Sequence, residues 1–122
     1  MTDFANIAER YIAMWNETDA GRRRQIIAGL WTDSGRYVDP LMQGDGPSGI
    51  DAMVQGVQAR FPGFRFKLVG KVDGHNDRLR FGWELGDGSS PAPVAGIDVG
   101  VVAPDGRLQS ITGFIDRMPA AA

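Results

Sequence analysis

Apolar positions along the chain change period once, near its middle. In the first half they recur at three- and four-residue spacing, and in the second half largely at every other residue. Phe4, Ile7, Ala8, Tyr11, Ile12 and Trp15 share one helical face behind Asp3 as N-cap, which predicts a first helix ending near Asn16. A second helix, capped by Thr18 or Asp19, buries Ile26, Ile27, Leu30 and Trp31. After Asp33-Ser34-Gly35 a short strand runs from Arg36 to about Asp39, and Gln43 to Gly49 reads as loop. Ser48 and Asp51 then form a capping box for a third helix, whose face is Ile50, Met53, Val54, Val57 and Phe61 and whose stop is Pro62-Gly63.

Beyond that stop the alternation is that of strands. Arg65 to Val72 is strand-like, followed by a turn at Asp73-Gly74-His75-Asn76-Asp77. From Arg78 to Leu85, Leu79, Phe81, Trp83 and Leu85 take one side, and Arg78, Arg80, Gly82 and Glu84 the other. A Gly/Ser/Pro connection, Gly86 to Pro93, leads to a strand from Val94 to Ala103, and Pro104-Asp105-Gly106 turns into a last strand, Arg107 to about Arg117. Helices followed by antiparallel strands make an α+β fold with the helices on one face of the sheet. The expected organisation is one domain over residues 1–118, with 119–122 as a frayed tail.

Composition narrows the function classes. With 122 residues, 43% hydrophobic and 23% charged, the chain reads as a soluble globular protein, and a net charge of −2 gives no basic footprint for nucleic acid. The absence of cysteine removes disulfides, thiolate metal sites and a cysteine nucleophile. No apolar run is long enough to span a membrane and the start lacks a signal-peptide core, so the expected place is the cytoplasm.

Few residues offer chemistry. Gly44-x-Gly46-x-x-Gly49 matches a dinucleotide fingerprint in letters only: Pro47 interrupts it, and neither a buried strand before it nor a βαβ unit after it is expected. The single His75 falls in a polar turn, which leaves a Ser-His-Asp triad without its base and predicts no metal-type histidine pair. Arg22, Arg23 and Arg24 read as a solvated helix face, with an anion-binding cluster as the lesser alternative. Carboxylates, tyrosine and arginine remain as sources of acid–base chemistry. Asp39, within Arg36-Tyr37-Val38-Asp39-Pro40, is either a turn aspartate before proline or a general base in an apolar pocket. Asp98 is the one ionisable group in a strand of small and apolar residues, on the face of Val94, Gly96, Gly100 and Val102. It is either a charge that protects a sheet edge or a carboxyl on a pocket floor, with the flanking glycines leaving room beside it.

Four segments carry a resemblance. Tyr11 within Glu9-Arg10-Tyr11-Ile12-Ala13-Met14-Trp15, the Tyr37-Val38-Asp39-Pro40 segment, the helix from Ile50, and Gly96-Ile97-Asp98 before the closing hairpin resemble the SnoaL-like branch of the nuclear transport factor 2 superfamily, in order and over nearly the whole chain. The resemblance implies a cystatin-like cone, three helices packed into a curved antiparallel sheet around a pocket, with a homodimer formed through the sheet. At three positions it is similar to ketosteroid isomerase, which implies Asp39 as proton-shuttling base, Asp98 as a protonated acid and Tyr11 as hydroxyl donor to the oxyanion. The implied activity is a cofactor-independent isomerase, cyclase or lyase acting on a small hydrophobic carbonyl compound, with Trp15, Met53, Phe81 and Trp83 as pocket or core. The alternative is a ligand-binding or dimeric scaffold domain of the same fold without chemistry. A hydrolase of the epoxide kind would need an Asp-Arg-Asp relay, and Arg80 lies on the Gly82/Glu84 side of its strand.

Overall fold

A computed structural model describes residues 2–119, so three of the four residues of the expected frayed tail lie outside it. Helix α1 (Phe4–Asn16) begins where the Asp3 carboxylate accepts the Asn6 N–H at 3.0 Å. Helix α2 (Ala20–Leu30) is capped by Asp19, which accepts the Arg22 N–H at 2.8 Å. Strand β1 (Trp31–Val38) follows at once. Trp31, expected on the helix, instead opens the strand opposite Leu108, and its buried indole N–H points to the Met14 sulfur at 3.3 Å. Tertiary pairing overrides the helical spacing here.

The expected loop at Gln43 to Gly49 holds a strand and a helix start. Strand β2 (Gln43–Asp45) pairs with β1, and α3 (Gly46–Arg60) follows it with Pro47 in its first turn. Glycine allows the tight passage: a Cβ on Gly44 would stand 2.9 Å from the Gly49 carbonyl oxygen. The Ser48–Asp51 capping box does not form at this start, because Asp51 is taken by Arg23 at 2.6 Å. Arg23 therefore leaves the expected solvated face. It is 2% exposed, and it also donates to the Glu17 carbonyl at 2.9 Å and to Gln58 at 3.2 Å, tying α2 to α3.

Strands β3 (Arg65–His75), β4 (Arg78–Gly86), β5 (Val94–Val102) and β6 (Leu108–Arg117) complete a six-stranded sheet in the order β2-β1-β6-β5-β4-β3. The expected five-residue turn shrinks to Asn76-Asp77, with Asn76 at φ 52°. An irregularity between Val69 and Asp73, with Gly70 at φ 73°, lets β3 run on past it. One correction concerns direction: β1 runs parallel to β6 while every other neighbouring pair is antiparallel, so the sheet is mixed. It curves without closing, α1 lies against β3, and α3 lies against β1 and β2. Leu79, Phe81, Trp83 and Leu85 all turn into the core, as their alternation requires. The opposite face of β5 is less sheltered than its composition suggests, with Val99 38% exposed on the convex side.

Candidate active site

Three chain segments meet above Gly113. Strand period sets the first: Tyr37 faces inward, and Asp39, two residues on, points the same way just past the end of β1. The turn use of Asp39 is plain, since its Oδ1 accepts the N–H groups of Leu41 at 2.8 Å and Met42 at 3.0 Å. Its Oδ2 accepts the Tyr37 hydroxyl at 2.6 Å, and the residue borders the main cavity.

Asp98 lies on β5 opposite Gly113 of β6 and is 3% exposed. Its Oδ2 accepts the hydroxyl of Tyr11 from α1 at 2.7 Å, and its Oδ1 accepts the indole N–H of Trp83 from β4 at 2.9 Å. The flanking glycines do not leave empty room as expected. A Cβ on Gly96 would stand 2.5 Å from the Trp83 ring, and one on Gly100 would stand 2.8 Å from Leu79 and Ile111. Glycine here admits neighbouring side chains, and the indole that rests over Gly96 is the one that reaches Asp98. Gly113 does the same for the site as a whole: a Cβ there would be 2.9 Å from Asp98 Oδ1, 3.1 Å from Asp39 Cβ and 3.1 Å from the Tyr37 hydroxyl.

Burial is the main influence on the Asp98 carboxyl and raises its pKa to about 6 against the pull of its two donors, with the Asp39 charge adding a little upward push. Its neutral form therefore prevails below about pH 6 and its charged form above. The Tyr11 hydroxyl is held well above the ordinary tyrosine range by burial first and by the Asp98 charge second. Tyr37 is raised by the same two causes in the same order. Both phenols stay protonated and available as donors.

The cavity, about 580 Å³, is bordered by Tyr11, Asp39 and Asp98 and by Trp15, Met53 and Trp83 from the expected set. Phe81 is not on its wall. It is 2% exposed and packs edge-on against Tyr11 at 5.3 Å, as core behind the site. Phe66, packed between Trp15 at 5.0 Å and Trp83 at 5.5 Å, adds to the apolar lining. Arg80 points outward, 64% exposed and 3.4 Å from Asp73, so it supplies no Asp-Arg-Asp relay. His75 is exposed at the end of β3. Among the described residues no three His, Cys, Asp or Glu side chains gather as a metal site. Two further site residues follow from the structure. Tyr37 could have been found from its two-residue spacing to Asp39, whereas nothing in the sequence marks Gly113 as the place where the segments meet.

The arrangement offers one carboxylate among donors, one carboxyl that changes charge near pH 6, and two phenol donors in a mostly apolar hollow. That is equipment for moving a proton and for steadying negative charge on oxygen.

Among solved structures, a provisionally assigned isomerase of the SnoaL-like family from Agrobacterium tumefaciens shares 43% identity, over 95% of this chain and 99% of that one, with a TM-score of 0.90. An NTF2-like protein of unknown function from Exiguobacterium sp. 255-15 shares 18% identity over 90% of this chain and 98% of its own, with a TM-score of 0.71. A provisionally assigned SnoaL-like polyketide cyclase from Jannaschia sp. CCS1 shares 15% identity over 92% and 86%, with a TM-score of 0.68. The latter two are likenesses of fold. No family model matches the sequence, and no curated protein matches it.

Proposed function

The chain belongs to the SnoaL-like family, and from that premise we propose that it is a cofactor-independent acid–base enzyme, an isomerase, cyclase or lyase for a small hydrophobic carbonyl compound. The observation that carries this reading is the convergence of Asp39, Asp98 and Tyr11 on one cavity with largely apolar walls. Asp39 takes a proton from the carbon beside the carbonyl. The C–H electron pair becomes the enolate double bond, and negative charge passes to the oxygen. Tyr11 donates a hydrogen bond to that oxygen.

Asp98 acts through Tyr11. Its Oδ1 faces the indole N–H of Trp83, which can only donate, so a proton on the carboxyl sits on Oδ2. From there it bonds the Tyr11 oxygen and turns the tyrosine O–H towards the ligand. Neutral Asp39 then returns its proton to a different carbon, completing an isomerisation, or the enolate carbon attacks a second carbonyl carbon in a cyclisation and the alkoxide oxygen so formed takes the proton back from Asp39. In deuterium oxide, proton exchange of cyclic ketones and conversion of 3-cyclohexenone to its conjugated isomer both read the first step. Asp39→Asn is expected to slow them by ~10²–10⁴-fold, the usual contribution of a general base. Equal rates in the variant and the wild type would remove Asp39 from the role and favour a binding domain.

The proposal extends to a homodimer through the convex face of the sheet. Val69, Gly82, Ile97 and Phe114 form one cross-strand row there, and Phe114 is 52% exposed. Sedimentation of Phe114→Glu as a monomer beside a dimeric wild type is the expected result, and a monomeric wild type would overturn it.

A further inference from the structure

The cavity wall formed by α3 carries a cation for which proton transfer has no use. Gly49, Met53, Gly56, Val57 and Arg60 border the cavity at three- and four-residue spacing, so one stripe of the helix faces it from end to end. Among the described residues Arg60 is the one basic group on the cavity wall, and no carboxylate lies within ion-pair distance of it. Its guanidinium carbon rests 5.5 Å from the centre of the Phe61 ring, which also borders the cavity.

Asp39 stands towards the opposite end of this wall. Asp39 is bonded to Met42, and β2, which follows, lies against the start of α3 at Gly49. Arg60 is about three helical turns further on, roughly 16 Å along the axis. An anionic group on a ligand would be repelled beside Asp39 and attracted beside Arg60, so the charges orient such a ligand along the wall. The planar guanidinium fork suits a carboxylate, and stacking on Phe61 limits the freedom lost on binding it. A last-turn arginine also complements the helix dipole, but that role does not require a place on the cavity wall.

We propose that Arg60 binds a carboxylate on the ligand, which makes the ligand an apolar keto acid: its carbonyl lies at Asp39 and Tyr11, and its carboxylate lies at the mouth of the cavity. This rests on the cavity being the ligand site and is independent of turnover. Titration calorimetry with 2-naphthylacetate and its uncharged methyl ester tests it without chemistry. The wild type is expected to bind the acid at least tenfold tighter than the ester. Arg60→Gln should abolish that preference while leaving the ester affinity within twofold, and Arg60→Lys should keep part of it. A preference that survives Arg60→Gln, or none in the wild type, overturns the proposal, as does failure of both ligands to bind. An Arg60-dependent preference in a protein that exchanges no ketone protons would keep the carboxylate site and sink the proton-transfer reading instead.

Discussion

Asp98→Asn exchanges a buried acid for a neutral group of the same shape. The carbonyl oxygen of the introduced amide can accept the Trp83 N–H, and its NH₂ can donate to the Tyr11 oxygen, the arrangement of the protonated acid. Asp98 titrates at about 6 in the folded chain against 3.8 for an unperturbed carboxyl, mainly because burial penalises its charge. At about 1.4 kcal/mol per pH unit the gap amounts to about 3 kcal/mol, and 3% exposure leaves little solvent screening to reduce it. The sign follows from proton counts: between pH 3.8 and about 6 the folded state holds a proton that the unfolded state has released. Asp98 therefore lends its stability below that window, loses it as pH rises through about 6, and leaves a charged carboxylate buried above. Urea unfolding followed by tryptophan fluorescence, on both proteins from pH 4 to 8, isolates the effect because the other groups cancel in the difference. Relative to wild type, Asp98→Asn should gain about 2.5 kcal/mol from pH 4 to 8, the rest of the ~3 having accrued below pH 4, where the unfolded carboxyl already ionises. A difference that stays constant with pH, or one that moves against the variant as pH rises, would refute the burial argument.

If the proposed reaction holds, kcat/KM for ketone exchange should fall about tenfold per pH unit above about 6 as Asp98 ionises, and Asp98→Asn should lack that limb. Gly113→Ala should lower the exchange rate at least ~10-fold and cost about 1–3 kcal/mol in urea unfolding, because its methyl group presses on Asp98, Asp39 and Tyr37 together. A variant as active and stable as wild type would show that the three groups need no close approach. Arg23→Ala should cost about 3–5 kcal/mol in the same assay, since it strands Asp51, the Glu17 carbonyl and Gln58 around a buried gap. A loss below ~1 kcal/mol would return Arg23 to the solvated face that its neighbours occupy.

What the sequence shows well is what neighbouring residues decide among themselves. The α1 face, the Asp3 cap and the alternation of Leu79, Phe81, Trp83 and Leu85 depend on period and local hydrogen bonds, and the structure repeats them. The differences arise where a distant partner wins. Trp31 continues a helical stripe in sequence but pairs with Leu108 across the sheet. Asp51 has capping spacing but meets Arg23, twenty-eight residues away. β2 is Gln43-Gly44-Asp45, whose Gly and Asp are types depleted in strands, and it is held extended by its pairing with Arg36, Tyr37 and Val38. At the site, the resemblance reached Tyr11, Asp39 and Asp98, and strand spacing from Asp39 leads to Tyr37, while Arg60 and Gly113 emerge only once α3 and β6 are set beside β1.

The glycines show why spacing alone misjudged the site. A glycine beside a strand acid reads as vacant volume, yet in a packed interior volume left by one residue is filled by its neighbour across the strand. Gly96 is overlain by the Trp83 ring, and Trp83 brings a donor to Asp98. Without that N–H, Oδ1 of a carboxyl that is 3% exposed would lack a partner, and burying it would cost more. Gly113 removes the side chain that would hold Asp39, Tyr37 and Asp98 apart, so the Asp39 charge lies close enough to push the Asp98 carboxyl upward. The hollow lies elsewhere, between that cluster and the stripe of α3 ending at Arg60, where small residues at Gly49, Ala52 and Gly56 keep the helix from filling it. The acids and the open volume thus have separate causes: glycines in the sheet bring the carboxyls together, and small residues on the helix leave them something to face.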